Sequence, residues 1–184
     1  PRDAPDPQPT YTNHGGAKQN VDAVNRYLQT EIELGAIVGP FKQYPFSSRI
    51  GVSPLNTRPR RGEPKRPRIL MDCSNPEGAS VNDHIDKDVY LGQMVKYDYP
   101  AVDHLAYRII MIGDTCYLYK IDLWRYFHQL TSDPGDYSLL GLYWADMFYF
   151  CTMLPMGLRS SCYIGQRVSQ AMSWILKNEG WWLL

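Results

Sequence analysis

The 184 residues, of which 44% are hydrophobic and 13% aromatic, suffice for one ordinary globular domain and exclude a disordered chain. Nineteen basic side chains balance nineteen acidic ones, so any attraction to nucleic acid must come from a local cluster. The sequence shows neither an apolar signal segment nor a stretch long enough to span a membrane. We therefore expect an intracellular protein without a membrane partner, in the cytoplasm or the nucleus.

The four cysteines are expected to be reduced, mostly buried thiols. They are widely separated, they form no Cys-x-x-Cys pair, and no histidine supplies a plausible zinc partner nearby. These residues are Cys73, Cys116, Cys151 and Cys162.

The first half of the chain is predicted to contain one helix, an extended stretch and a strand. Residues 1–19 are rich in proline and are interpreted as a flexible leader without function. Asn20 is a good N-cap residue, apolar residues recur after it at helical spacing and Gly35 ends the run, which predicts an amphipathic helix. Residues 38–55 are expected to be extended, and residues 68–73 are expected to form a short strand.

The middle of the chain is predicted to be irregular before a second helix. Residues 82–99 are expected to lack regular structure, apart from a short turn or helix near residues 90–95. Pro100 opens a helix that Gly113 closes, with its apolar positions on one face. Residues 116–122 alternate in character and predict a strand that ends at Asp122.

The last third is predicted to contain a hairpin and a third helix. Residues 138–144 and 147–153 are aromatic-rich runs joined by Ala145-Asp146, which predicts a β-hairpin. The helix is expected to begin near Ser160 or Ser161. Its predicted buried face consists of Ile164, Val168, Met172 and Ile175. Mixed helices and hairpins without an internal repeat indicate the α+β class.

Asp122 is the first candidate for chemistry. Phosphoryl transfer needs carboxylates that hold two Mg²⁺ ions about 3.5–4 Å apart. Asp122 could supply one ligand and the backbone carbonyl of Leu123 another, because Mg²⁺ prefers oxygen donors. On spacing alone, Asp122 is more simply the N-cap of residues 123–129.

The second candidate is a basic loop at residues 57–68, where six basic side chains accompany one acid, Glu63. Such a cluster could bind phosphates with strong salt dependence, or it could be a solvated, mobile loop tip. Arg68 begins the predicted strand, so its guanidinium could clamp a triphosphate. The basic residues are Arg58, Arg60, Arg61, Lys65, Arg66 and Arg68.

The third candidate is the turn at residues 154–162. Pro155 and Gly157 indicate a constrained backbone path, and Ser160 or Ser161 could cap the helix that follows. The start of a helix offers backbone donors to an anion or a base edge. Taken alone, the segment is simply a junction between a loop and a helix.

Residues 68–72, 120–130 and 154–166, in this order, resemble the reverse transcriptase domain of retroelements. The resemblance covers about residues 20–180. Within that superfamily the chain is most similar to the tyrosine-recombinase, DIRS-like retrotransposons. The segments that carry this finer similarity are residues 37–41, 53–55, 72–83 and 135–141.

The resemblance implies a right-hand polymerase of the α+β class, truncated before its paired-aspartate hairpin. The implied fingers contain the basic hairpin, and the implied palm contains Asp122. After the leader at residues 1–19, the implied divisions are fingers at 20–95, palm at 96–128, a fingers return hairpin at 129–155 and a palm helix at 156–184.

The resemblance also implies roles for individual residues. Asp122, with the Leu123 carbonyl, would hold metal, and Phe127 would be the aromatic gate that excludes a ribose 2′-hydroxyl. The nucleotide would further contact Arg68, Met156 and Gly157. The template and primer would contact Arg58, Arg60, Arg61, Lys65, Arg66 and Gln166.

Three other positions complete the comparison with the family. Asp72 is interpreted as structural, in a pair with a fingers arginine. Tyr126 replaces the small residue that usually precedes the gate, and Cys162 stands where proline is common. The nucleotide pocket is therefore expected to differ in shape from that of the family.

The implied function is RNA-directed DNA synthesis, in which deoxynucleoside triphosphates extend a primer with two Mg²⁺ ions, or Mn²⁺ as a substitute. The chain contains no Tyr-x-Asp-Asp sequence, and Asp133 and Asp136 have the pattern of turn and cap residues. The chain alone is therefore expected to be inactive, with the rest of the palm, thumb, RNase H and recombinase regions elsewhere in a polyprotein. The alternative is a non-catalytic retroelement relic or nucleic-acid-binding module.

Overall fold

The computed structural model describes residues 12–47, 50–97, 99–113, 117–118, 120 and 122–179, apart from the side chains of residues 64 and 65. Within these residues the helices are α1 (Gly15–Gln19), α2 (Val21–Glu33), α3 (Val102–Ile112) and α4 (Arg159–Asn178). The strands are β1 (Ile37–Phe41), β2 (Leu55–Arg60), β3 (Glu63–Met71), β4 (Val89–Tyr90), β5 (Gln93–Met94), β6 (Gly141–Trp144) and β7 (Met147–Cys151). Short 3-10 helices cover Val81–His84, Tyr126–Gln129 and Pro134–Leu139.

A three-stranded antiparallel sheet in the order β1-β7-β6 forms the centre of the fold. Ala145 and Asp146 both have positive φ, which suits the tight turn of a hairpin because its twist matches that of the strands. The predicted β6–β7 hairpin is thus confirmed. It begins at Gly141, because the preceding residues form the 3-10 helix Pro134–Leu139.

Helix α2 packs against this sheet and supplies part of the core. Val24 and Leu28 are buried on its inner face, and Gly35 follows the helix with φ +70°. The predicted helix is confirmed, but its cap differs. The amide of Asn20 donates to Gly16 O and Thr57 Oγ1 instead of accepting from the first turn.

The predicted leader is wrong for residues 12–19, which belong to the folded domain. Ala17 in α1 is completely buried. Asn13 accepts a hydrogen bond from Leu55 N at 2.7 Å and donates one to Tyr143 O at 2.8 Å. His14 adds a polar contact to the end of β3, so short-range composition missed three long-range attachments. Residues 1–11 lie outside the described residues.

The basic segment is a β-hairpin, as the resemblance to reverse transcriptases implied, and not the loop that the residues alone indicated. Strands β2 and β3 are antiparallel and the turn falls at Arg61 and Gly62, where Gly62 has φ +81°. Strand β3 starts at Glu63, five residues before the predicted start. Its register with β2 shifts between the Arg60–Glu63 pair and the Arg58–Arg68 pair, where its two prolines lie. A second, shorter hairpin, β4–β5, occupies the predicted turn near residues 90–95.

Helices α3 and α4 match their predicted positions but not their predicted burial. Gly113 follows α3 as expected, yet none of the described residues of α3 is buried. Helix α4 starts at Arg159, after Leu158, so neither predicted serine is its N-cap; the Ser161 hydroxyl donates to Pro155 O at 2.9 Å. The residues it buries are Ser161, Tyr163, Gly165 and Gln166, all in its first half. Met172 and Ile175, in its second half, are exposed.

The described part of residues 116–122 does not show the predicted strand. Its described members, at positions 117, 118, 120 and 122, have no regular secondary structure. Positions 116, 119 and 121 lie outside the described residues. A strand needs a neighbour for its backbone hydrogen bonds, and no described strand pairs with this segment.

The thiol prediction is confirmed for two of the four cysteines. Cys73 and Cys151 are buried and unpaired, while Cys162 is exposed and Cys116 lies outside the described residues. Burial raises the pKa of the Cys73 thiol to about 12 and raises that of Cys151 as well, so both stay protonated. Among the described helices, none combines the length and apolarity needed to cross a membrane.

Candidate functional site

Asp122 is an exposed carboxylate, and it forms no hydrogen bond or ion pair with another described residue. The 3-10 helix Tyr126–Gln129 begins after Arg125, whose backbone is left-handed with φ 54°. Asp122 is therefore not the N-cap of this segment. Its carboxylate oxygens are available to an external ligand.

A two-ion magnesium site cannot be built from the described residues alone. No three His, Cys, Asp or Glu side chains among them lie close enough together to hold a metal. Asp133 is engaged elsewhere, because its carboxylate caps the 3-10 helix Pro134–Leu139 by accepting from Gly135 N at 2.8 Å. Asp122 and the Leu123 carbonyl thus offer part of an oxygen ligand set.

The residues after Asp122 are tied to helix α2 by a buried ion pair. Arg125 approaches Glu31 with both guanidinium nitrogens; Nη1 donates to Oε1 at 2.7 Å, and Nη2 donates to Oε2. His128 Nδ1 lies 2.8 Å from the same Oε2. Burial alone would raise the pKa of the Glu31 carboxyl, but hydrogen bonds from His128 and Arg125 outweigh burial and lower it. Glu31 is 3% exposed, so this is a buried charge with two cationic or polar partners.

Sequence reasoning missed Glu31, although a signal was present. Glu31 follows Val24 by seven positions and Leu28 by three, which places a carboxylate on the apolar face of α2. A buried acid is rarely left without a partner. Its position could therefore have predicted a basic partner, but not which one.

The same segment is tied to helix α4 by its next residue. The Tyr126 hydroxyl donates to Gly165 O and lies 2.5 Å from Ser169 Oγ. A Cβ at Gly165 would lie only 2.8 Å from the Tyr126 ring, so the ring occupies space that any other residue would fill. The unusual Tyr126 is thus accommodated by a glycine in the facing helix.

Phe127 follows these two attached residues directly in the chain. Its half-buried ring packs against the hydrophobic core and is tilted against Tyr126, with ring centroids 5.1 Å apart. Phe127 and Tyr126 both line a cavity of about 960 Å³ between α3, the 3-10 helix Tyr126–Gln129 and α4. Gln166 lines the same cavity, so the structure brings the predicted gate and the predicted template contact together. The described residues that line the cavity include Arg108 and Lys177 but no carboxylate.

Arg68, Met156 and Gly157 do not line this cavity. The turn that contains Gly157 packs instead on the end of β3, where a Cβ at Gly157 would lie 2.3 Å from Met71 O. Gly157 also has φ +122°, a conformation that side chains disfavour. Met156 is exposed beside it.

Asn82 holds this turn in place and was missed by sequence reasoning. Its buried side chain donates to Gly157 O at 2.9 Å and accepts from Arg159 N at 2.7 Å. A capping box between Ser80 and Asp83 orients the short 3-10 helix that contains it. The pattern Ser-x-x-Asp around Asn82 was a local signal for that helix.

The basic hairpin presents its arginines on the face away from the core. In antiparallel register Arg58 lies directly opposite Arg68. Ile69 packs against the core from the opposite face. The arginine side chains that are exposed are Arg58, Arg60, Arg61, Arg66 and Arg68. The side chain of Lys65 lies outside the described set.

Asp72 has a different partner from the one predicted. Its Oδ2 lies 2.8 Å from His14 Nε2, and its Oδ1 accepts from Ser74 N at 3.3 Å. Asp72 is structural, as expected, but it pairs with a histidine of the N-terminal segment rather than with an arginine. The prediction failed because that segment was not expected to be folded.

The fold is similar to that of solved reverse transcriptases. Prototype foamy virus protease-reverse transcriptase superposes with a TM-score of 0.59 at 18% identity, over 94% of this chain and 20% of that chain. The foamy viral protease-reverse transcriptase in complex with dsDNA gives a TM-score of 0.56 at 16% identity, over 95% of this chain and 30% of that chain. The chain thus spans less than a third of the length of these proteins.

No protein-family model matches the sequence, and no curated protein matches it significantly. The structural similarity therefore establishes the fold: a mixed α and β domain that resembles the fingers and palm of the foamy virus enzyme. The predicted α+β class is confirmed. The division into fingers and palm at particular residues stays a prediction.

Proposed function

We propose that this chain is the fingers and first part of the palm of an RNA-directed DNA polymerase from a DIRS-like retrotransposon. The observation that carries the proposal is the reverse-transcriptase-like fold over 94% of the chain. In the proposed protein, Asp122 and the Leu123 carbonyl contribute oxygen ligands for Mg²⁺ or Mn²⁺. Further carboxylates must complete that set, because the described residues do not fit a two-ion site.

The nucleotide is proposed to contact residues from three parts of the fold: strand β3, the 3-10 helix Tyr126–Gln129 and the turn before α4. Arg68 offers a guanidinium to the triphosphate from the exposed face of β3. Phe127 offers a ring edge that leaves no room for a 2′-hydroxyl, which favours deoxynucleotides. Met156 and Gly157 do not line the cavity beside Phe127 and are proposed to border the nucleotide from the turn before α4. Gln166, which lines that cavity, is proposed to contact the template.

The exposed face of the β2–β3 hairpin supports a nucleic-acid partner. Like charges directly opposite each other on two strands are destabilising, and Arg58 faces Arg68 in this way. A phosphate between the two guanidinium groups would relieve their repulsion. The foamy viral enzyme has been solved with dsDNA, so its fold is compatible with a duplex.

A binding experiment tests this part of the proposal. Fluorescence anisotropy with a labelled RNA–DNA template-primer, between 50 and 200 mM salt and without divalent ions, should show affinity that falls steeply with salt. The double variant Arg58→Gln/Arg68→Gln should reduce the slope of log K against log salt by about 1 for each phosphate that the two side chains no longer neutralise. Arg26→Gln, an exposed arginine on α2, is the matched control. An unchanged slope in the double variant would show that the hairpin does not bind the duplex.

The catalytic part is tested by primer extension on an RNA template. The 184 residues alone should give no extension product, whereas a longer polypeptide that contains them together with a paired-aspartate motif should give one. Asp122→Asn should abolish that product, and equal extension by the Asn variant would contradict the role of Asp122.

A non-catalytic nucleic-acid-binding module is the second candidate. The observation that favours it is the absence of a metal-binding cluster among the described residues. The two candidates differ in the primer extension experiment. A longer polypeptide that binds template-primer with salt dependence but never extends it would favour the binding module.

A further inference from the structure

We propose that Arg125 and Tyr126, held by Glu31 and Gly165, are positioning residues that set the orientation of Phe127 and thereby the preference for deoxynucleotides. This inference rests on the proposed function, because Phe127 acts as a gate only in a polymerase. The contacts themselves are present in the fold. The consecutive side chains of Arg125 and Tyr126 contact two different helices, and Phe127 follows them directly.

The first attachment fixes the segment to α2. The bidentate pair between Arg125 and Glu31 is largely shielded from water, since Glu31 is almost fully buried and Arg125 is half-buried. Two parallel hydrogen bonds specify the direction of the guanidinium as well as its position. Arg125 itself has a left-handed backbone conformation, which costs about 1 kcal/mol or more in a residue other than glycine.

The second attachment fixes the segment to α4. The Tyr126 ring packs against the backbone of Gly165. Its hydroxyl is hydrogen-bonded to the Gly165 carbonyl and to Ser169 Oγ. An isolated glycine within a helix is destabilising by about 1 kcal/mol relative to alanine. The Tyr126 ring therefore explains why a glycine stands at position 165 of the helix, since a side chain there would occupy the space of the ring.

The two attachments join the start of one short 3-10 helix to two different α-helices. That helix is closed by Leu130, whose amide donates to Phe127 O at 3.1 Å. Arg125 is anchored to α2 and Tyr126 to α4. These two contacts together fix the backbone that carries the Phe127 ring. A gate that distinguishes a hydroxyl from a hydrogen needs such precision, because displacement by about 1 Å can change rates by about 100-fold.

The positioning is tested by hydrogen exchange on the complete 184-residue chain. Glu31→Gln keeps the shape of the side chain and removes its charge. It should speed exchange of the Leu130 amide by about 10-fold or more, which corresponds to about 1.4 kcal/mol of local stability. Amides between β6 and β7 should change much less. Glu33→Gln, at an exposed acid on the same helix that accepts a hydrogen bond from Gln29, is the matched control and should leave both regions unchanged.

A milder variant keeps the test decisive if Glu31→Gln unfolds the chain. Tyr126→Phe keeps the ring against Gly165 but removes the hydroxyl, and with it the contacts to Gly165 O and Ser169 Oγ. Exchange of the Leu130 amide should then rise about 2- to 10-fold, the range expected for one net hydrogen bond. Unchanged exchange in Tyr126→Phe, or an equal rise across the β6–β7 hairpin, would overturn the positioning role.

Nucleotide selectivity supplies a readout that a merely structural role would not move. With a template-primer whose next template base pairs with adenine, dATP and ATP are titrated onto the chain and onto both variants. The ratio of the two affinities should fall in Glu31→Gln and Tyr126→Phe and stay at the wild-type value in Glu33→Gln. A ratio that stays constant while exchange rises would overturn the link to selectivity. A wild-type chain that does not prefer dATP would refute the proposed gate, and hence the proposed function, while the exchange data still decide the positioning.

Discussion

The two regions that the proposed function relies on are held in opposite ways. The 3-10 helix around Phe127 is anchored by a buried ion pair to α2 and by hydrogen bonds to α4. The β2–β3 hairpin instead exposes arginines on its outer face, two of them directly opposite each other. The difference indicates that the protein itself fixes the group that would select the nucleotide. The arginines that are proposed to bind phosphates lie instead on an exposed face.

The largest expected loss of stability comes from a substitution in the anchored region around Phe127. Glu31→Ala leaves Arg125 and His128 without their shared carboxylate, and removal of one partner from a buried pair costs about 3–5 kcal/mol. Urea denaturation followed by circular dichroism should show this loss in the free energy of unfolding. Glu33→Ala on the exposed face should stay within about 0.5 kcal/mol of wild type. A loss below about 1 kcal/mol in Glu31→Ala would mean that the pair does not anchor the segment.

The next effect concerns the turn that joins α4 to the end of β3. Gly157→Ala forces a Cβ toward Met71 O and strains a positive φ, so we expect a loss of about 1–3 kcal/mol. Thermal unfolding would measure it. Gly15→Ala is the control, because a Cβ there meets nothing within 4 Å. Equal melting temperatures for the two variants would show that the turn adjusts without cost.

The anchored region should also respond to acid. The folded Glu31 carboxyl binds protons more weakly than the unfolded one, because its pKa is lowered by His128 and Arg125. Its contribution is complete above the unfolded pKa of about 4.3 and is lost as pH falls through the lower folded pKa. The difference in the free energy of unfolding between wild type and Glu31→Gln should therefore shrink from pH 6 to pH 3. A difference that grows as pH falls would contradict the direction of this pKa change.

The smallest effect on stability is expected in the basic hairpin. Arg58→Gln/Arg68→Gln removes two facing like charges at exposed positions, so the free energy of unfolding should stay within about 0.5 kcal/mol or rise slightly. Urea denaturation at low salt measures it. A loss above about 1 kcal/mol would show that these arginines stabilise the fold itself, and the contrast with the anchored region would fail.

Local patterns predicted the elements whose determinants lie close together in the chain. Helix α2 combined a helical apolar period with a stop at Gly35, and Ala145-Asp146 supplied the turn between two aromatic runs. The cap role of Asp133 was likewise visible in its own segment. In each case a few neighbouring residues determine the backbone, so the prediction needed no knowledge of distant contacts.

Patterns failed where a distant partner decides the structure. The apolar positions of α3 predicted a buried face, yet burial requires a second element and no described one covers that helix. Composition marked residues 12–19 as a leader, although His14 reaches Asp72 across 58 positions of the chain. The strand expected before Asp122 has no described neighbour to complete its ladder.

The sequence by itself determined the main hairpin, three of the helices and the basic cluster, because periodicity, caps and turn residues act over a few positions. It also placed Asp122 and Phe127 five residues apart, in the pattern that resembles reverse transcriptases. Only the tertiary structure decided that Arg125 reaches a carboxylate 94 positions away and that Tyr126 fits against a glycine 39 positions away. Such pairs depend on how whole elements pack, and a buried charge or a missing Cβ signals the need for a partner without identifying it.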